Sequence, residues 1–174
     1  MLLSCSSFSW TLPYGTVMRY WLMKSEPDEV SIDDVAAAPG QSVAWFGVRN
    51  YQARNFMRDD MRVGDPLLFY HSSCAQPGIA GICKVAGRAI PDATQFDPKS
   101  PYFDPKSSPA NPRWQNVTVR FVRKTRILTL DELRRHPQLA DMLILRRGNR
   151  LSITLVSPGE WSHTQGLLAE PGSA

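Results

Sequence analysis

Cysteine is scarce in this chain. Cys5, Cys74 and Cys83 are the only three in 174 residues, and none stands in a C-x-x-C pair. An odd, scattered set builds neither a disulfide framework nor a structural zinc site, so a reducing cytoplasm is the expected setting. The histidines, His71, His136 and His163, are equally dispersed and form no H-x-x-x-H helix pair. No metal centre and no cofactor is expected. Long apolar runs are also missing. No stretch approaches the roughly 20 apolar residues of a membrane-spanning helix, so a soluble protein without a membrane partner is expected. There is no G-x-S-x-G elbow, no G-x-x-x-x-G-K-[ST] loop and no strand-linked G-x-G-x-x-G. Gly78-Ile-Ala-Gly81 is too short for a dinucleotide site and reads as close backbone packing within a strand.

What is present suits one globular domain with a buried core, since 43% of the residues are hydrophobic. The net charge is only +4, yet fifteen of the twenty basic residues are Arg. Arg offers a planar fork of donors that grips phosphate and stacks on rings. The bias therefore points, weakly, towards nucleic acid.

Residues 1–18 are broken up by Ser, Thr, Pro and Gly and lack a basic leader. They predict a disordered extension, or an upstream start with Met18 as initiator. A domain over 19–168 and a flexible tail over 169–174 follow. Strand patterns cover Arg19–Lys24, Ser42–Phe46, Pro66–His71, Ile79–Ala89, Trp114–Lys124 and Leu151–Val156. Ser31, with Asp34 three residues on, is a capping signature that opens a short helix to about Ala38. Asn50 to Arg62 predicts an amphipathic helix with Arg54, Arg58 and Arg62 in one stripe. Thr129–Arg135 and Gln138–Leu145 read as short helices, and Ser157–Glu160 as a closing helical turn. Pro91 to Pro112 is a long loop containing an echo, Phe96-Asp-Pro-Lys-Ser100 and Phe103-Asp-Pro-Lys-Ser107. Its Asp-Pro steps favour turns. Strands and short helices out of any βαβ rhythm predict an α+β fold with a mixed, barrel-like sheet.

Polar and aromatic residues gather at the predicted strand ends: Lys24-Ser25-Glu26-Pro27, Trp45 to Asn50, Tyr70-His71-Ser72 and Pro112-Arg113-Trp114. A pocket for a planar base needs aromatic faces, worth about 1–3 kcal/mol per stacked base. It also needs polar groups for the base edge and cations for phosphates, which the Arg54/Arg58/Arg62 stripe would supply. Taken singly, Trp21, Trp45 and Trp114 read as core and the stripe as a solvated helix face. A second reading makes His71 the acid or base of an enzyme acting on RNA or nucleotides. A third makes the basic helix a dock for an acidic protein.

Ordered motifs then carry a resemblance over residues 19–168. Tyr20 to Pro27 (YWLMKSEP), Gly47 to Phe56 (GVRNYQARNF), Leu68 to Ser72 (LFYHS) and Pro77 to Gly81 (PGIAG) come first. Thr94 to Asp97 (TQFD), Tyr102 to Ser107 (YFDPKS), Pro112-Arg113-Trp114 and Gly148 to Ser152 (GNRLS) follow. Together they resemble the EVE domain. The resemblance implies a PUA-like fold and a non-enzymatic, monomeric reader of a modified base, with cytosine in DNA favoured over RNA. Such a reader flips the base into an aromatic pocket. Carried onto this chain, that pocket is Lys24, Ser25, Trp45, Gly47, Val48, Arg49, Asn50, Tyr70, His71, Ser72 and Trp114, with the 96–107 loop as a lid. Trp45 would stack on the base, while the Val48–Asn50 backbone and the Asn50 amide meet its edge. Ser25 and Ser72 would contact the edge or the modification. Lys24, Arg49, Arg54, Arg58 and Arg62 would hold phosphates. One position departs from the pattern: Phe46 stands where the family usually carries Asp. A phenyl ring accepts no hydrogen bond from an exocyclic amine, so Phe46 either alters base preference or only packs the turn.

Overall fold

The structure is a computed structural model and describes residues 17–169. The expected extension and tail, apart from Val17, Met18 and Ala169, lie outside the described residues. Six strands form one sheet in the order β2-β5-β4-β3-β1-β6. They are β1 (Tyr20–Ser25), β2 (Ser42–Ala44), β3 (Pro66–His71), β4 (Gly78–Pro91), β5 (Gln115–Thr129) and β6 (Ile153–Val156). β1 and β3 pair in parallel, and every other neighbouring pair is antiparallel. This is the expected mixed sheet of a PUA-like α+β fold. The sheet stays open between its edge strands β2 and β6, so the barrel does not close.

Both faces of the central strands are buried, which is why Trp21-Leu22-Met23 and Leu67 to Tyr70 read as unbroken apolar runs. Side chains alternate across a strand. Trp21, Met23, Leu67 and Phe69 therefore join one core cluster, with Trp45, Val48 and Met57. Leu22, Leu68 and Tyr70 join the other, against Leu128, Leu133, Leu139 and Leu167. Gly78 and Gly81 serve the close packing expected of them. A Cβ would lie 2.5 Å from the Leu128 carbonyl at Gly78 and 2.6 Å from Ile32 Cγ1 at Gly81.

Helix α1 (Ile32–Ala37) starts at the Ser31/Asp34 capping box that the sequence announces. Helix α2 (Tyr51–Asn55) is much shorter than the predicted 50–62 helix and runs into a π-helical turn, Phe56–Asp60. The buried Asp65 carboxylate accounts for the early stop. It accepts from the Arg62 amide (2.9 Å) and the Trp21 indole (3.0 Å), drawing the chain out of the helix at Met61. An i→i+5 turn also shifts the helical phase. Arg54 lies in α2, Arg58 in the π-helical turn, and Arg62 beyond both. On the opposite face, α3 (Leu130–Arg134) is capped by Thr129, and Gln138–Leu145 resolves into 3₁₀ turns at Pro137–Leu139 and Leu143–Leu145. The closing turn is instead a full helix, α4 (Pro158–Ala169), packed over the second cluster. No described helix is long and apolar enough to cross a membrane.

Candidate functional site

Parallel pairing sets Ser25 of β1 beside His71 of β3, so both chains leave the sheet at the same end. The Ser72 amide ties the two exits by donating to the Ser25 carbonyl at 2.9 Å. Opposite them runs the segment after β2, anchored where Trp45 meets Phe69 edge-on, 5.5 Å between ring centres. Between these walls lies a cavity of about 540 Å³, within the usual range for small-ligand sites.

One wall is aromatic. Trp45, Phe46 and Tyr102 line it, with Phe46 39% exposed and edge-on to Tyr102 at 5.9 Å. The fully buried Asp92 builds this wall. Its carboxylate accepts from the Gly47 amide (2.9 Å), Arg49 Nη1 (2.9 Å) and the Thr94 amide and hydroxyl (2.9 and 2.7 Å). Burial alone would raise its pKa; the bonds from Thr94, Arg49 and Gly47 more than offset that and hold it below the usual range. Arg49 then donates through Nε to the Tyr102 carbonyl at 2.9 Å. Glu29 accepts from the Tyr102 hydroxyl, and that bond, with burial, pushes the phenol up to about 12.

The other wall is polar. Lys24, Ser25 and Ser72 line it, joined by Arg150 and Ser152 from the segment before β6. The Lys24 ammonium is half-buried without a hydrogen-bond partner among the described residues, and burial lowers its pKa. Ser25 gives its hydroxyl to the Val30 carbonyl at 2.7 Å, so it offers lone pairs, not a free proton, to a guest.

Lys24, Ser25, Trp45, Gly47, Val48, Arg49 and Ser72 of the expected set thus share one cavity. The remaining expected residues stand elsewhere, for definite reasons. Tyr70 follows the strand alternation into the second cluster, away from the cavity. Asn50 caps α2 by accepting from the Ala53 amide at 3.0 Å. His71 Nε2 accepts from the Ile32 amide at 3.1 Å and braces α1 from behind. Trp114 is only 6% exposed, stacked on Tyr51 at 4.9 Å, with its indole N–H on Asp104 at 2.7 Å. Arg49 reaches the cavity as the internal tie to Asp92, not as a free phosphate ligand. Arg54 donates to the Arg113 carbonyl and Arg58 pairs with Asp59.

The 96–107 loop, expected as a lid, is tied to its base where the Asp104 amide donates to the Gln95 carbonyl at 3.0 Å and the Asp104 carboxylate accepts from the Trp114 indole at 2.7 Å. Gln95, fully buried, donates to the Asp92 and Trp114 carbonyls and accepts from the Arg113 and Trp114 amides. The Asp-Pro echo forms the turns read from it, with the Lys99 and Lys106 amides on Asp97 and Asp104. Asp92, Gln95 and Arg150 escaped the sequence reading. For Asp92 and Gln95, the available signal was the short run of polar residues just after a long apolar strand.

The structure thus defines a PUA-like α+β protein with a cleft, aromatic on one wall and polar on the other, at one end of its sheet. The chain belongs to the EVE domain family, whose model matches residues 19–165. It is 42% identical over 169 residues to chicken thymocyte nuclear protein 1, covering 87% of this chain and 69% of the relative. Its structure is similar to that of human THYN1 in complex with 5-methylcytosine-containing DNA. There the TM-score is 0.82 at 41% identity, over 88% of this chain and 99% of the other. A Pseudomonas putida protein is also similar, with a TM-score of 0.81 and 46% identity over 85% and 98% of the two chains. The cytoplasmic setting expected from the cysteines is overturned by the chicken relative and its human counterpart, which are nuclear by name. Free thiols such as Cys74 and Cys83 suit any reducing compartment, the nucleus included.

Proposed function

We propose that this chain binds DNA and receives a methylated cytosine base in the cavity between Lys24 and Tyr102, without converting it chemically. The observation that carries this reading is the cleft itself, with rings on one wall and hydrogen-bonding groups on the other. The 5-methylcytosine-containing DNA of the similar human structure supplies the ligand class. Phe46, Tyr102 and the exposed edge of Trp45 provide apolar surface for a heterocycle and its methyl group. The Lys24 ammonium provides a donor for the acceptor atoms of the base edge. Extruding a base from a duplex costs a few kcal/mol. Stacking of about 1–3 kcal/mol, added to a hydrogen bond from a half-buried ammonium, is of the right size to offset it. His71, on which an enzymatic reading rests, is not among the residues lining the cavity, and its Nε2 accepts from the Ile32 amide.

Fluorescence anisotropy with oligonucleotides carrying cytosine, 5-methylcytosine or 5-hydroxymethylcytosine tests this, using wild type and Phe46→Ala. Tighter binding of the methylated strand, lost or sharply reduced in the variant, is expected. Equal and salt-sensitive binding of all strands by both proteins would overturn the reading and leave only phosphate affinity.

A further inference from the structure

The base-binding reading also needs cations for the strand's phosphates, and the arginines of the 49–62 segment already have partners within the chain. Arg54 donates to the Arg113 carbonyl (2.9 Å) and to Asn55 (2.7 Å), with its guanidinium 4.8 Å from the Tyr51 ring centre. Arg58 lies on Asp59 through two bonds of 2.7 Å, and Arg62 Nη1 donates to the Met61 carbonyl at 3.0 Å. Arg49 is held by Asp92.

The segment leading into β6 is different. Arg146, Arg147 and Arg150 are all exposed there, and none has an ion pair or hydrogen bond from its side chain among the described residues. The loop that carries them is nonetheless shaped. Asn149 donates to the Leu143 carbonyl at 2.7 Å and accepts from the Leu151 amide at 3.0 Å. Gly148 takes the left-handed backbone, φ +79°, that turns the chain between the arginines. One residue past Leu151, the Ser152 carbonyl accepts the Lys24 amide at 2.8 Å, which moors the loop to β1 beside the unpaired ammonium. Arg150 itself lines the cavity.

We infer that the 146–150 loop is the phosphate clamp of this protein. Arg150 takes the phosphate of the nucleotide whose base enters the cavity, and Arg146 and Arg147 take neighbouring phosphates of the same DNA strand. A base seated in the cleft must leave its sugar and phosphates at the mouth, and Arg150 is the unpaired guanidinium on that rim. Planar forks suit phosphate oxygens, and like charges held together on a fixed loop are stabilised by a polyanion more than by a single acid. The inference rests on the base-binding reading, and its test separates the two.

Dissociation constants for methylated and unmethylated strands are measured against salt concentration for wild type, Arg150→Ala, Arg146→Ala/Arg147→Ala and Arg58→Ala. Each lost phosphate contact is expected to flatten the log–log salt slope by about 0.7–0.9. Affinity for both strands should fall by the same factor, leaving their ratio unchanged, while Arg58→Ala behaves as wild type. Variants that keep the wild-type slope and affinity would overturn the clamp, even where methylation is still discriminated. An equal loss of binding to polyaspartate would also overturn it, marking the loop as a general acidic-ligand surface. A wild type that discriminates nothing sinks the base-binding reading alone, because the slopes still report on the loop.

Discussion

The Tyr102 ring covers Gly47 so closely that a Cβ there would fall 2.8 Å from Tyr102 Cζ. Gly47 also holds a φ of +79°, and its amide donates to Asp92, so turn, ring and carboxylate fix one another. Gly47→Ala is expected to cost roughly 1–2 kcal/mol of folding stability from the left-handed backbone alone. It should also displace Tyr102 and weaken binding of the methylated strand. Urea unfolding and anisotropy measure the two effects, and an unaltered protein by both would show that ring and turn are not coupled.

Asp92 is the buried hub of the aromatic wall. Replacing it with Asn leaves Arg49 without its counter-charge. Removing one partner of a buried pair costs about 3–5 kcal/mol, and the lower end applies because Arg49 keeps the Tyr102 carbonyl. The carboxyl titrates below its ordinary range in the fold. Its contribution is therefore complete above the unfolded value of about 3.9 and lost as pH falls through the lower folded value. Melting temperature against pH in the acid range should be flatter for Asp92→Asn than for wild type.

His71 adds a second pH dependence. Burial lowers its pKa, and Lys124 assists while Asp33 and Asp34 oppose. The neutral ring, which accepts from the Ile32 amide, is thus the folded form. Its contribution is present above the unfolded value of about 6.5 and declines as pH drops from there through the folded value. His71→Gln keeps an acceptor without a titrating ring, so its stability should fall less between neutral and mildly acid pH. An identical decline would show that His71 does not carry this pH dependence.

The neighbouring wall residues Trp45 and Phe46 should part company under mutation. Trp45 is 7% exposed and belongs to the core, so Trp45→Ala is expected to cost about 3–5 kcal/mol of stability. Phe46→Ala should fold nearly as well as wild type and lose affinity for the methylated strand. Chemical unfolding of both variants checks this; a large loss of stability in Phe46→Ala would make that ring a structural brace.

Much of the fold is written locally. The Ser31/Asp34 box, the Thr129 cap and the alternation in β5 each declare an element through nearest neighbours. The 50–62 helix failed because its end is decided by Asp65, a tertiary partner that no helical period reveals. Closure of the sheet is likewise a property of β2 and β6, far apart in sequence. At the site, residues adjoining the ends of β1 and β2 were legible as a cluster, and they do line one cavity. Tyr70 was not, because an unbroken apolar run hides which face each residue takes. Asn50, His71 and Trp114 carry chemistry that suits a ligand, but capping, bracing and stacking within the protein engage them first. Arg150 was missed because a cation is readable only once its possible acids are placed.

The central claim is that the methylated base enters the cleft between Lys24 and Tyr102. Its most direct test is an amide-resolved NMR titration of the protein with a 5-methylcytosine-containing oligonucleotide, beside its unmethylated counterpart. Base entry should move the Trp45 indole and the Gly47, Val48 and Ser72 amides with the methylated strand, and far less with the other. Shifts confined to the Tyr51–Arg58 segment, with those resonances unmoved, would contradict the account.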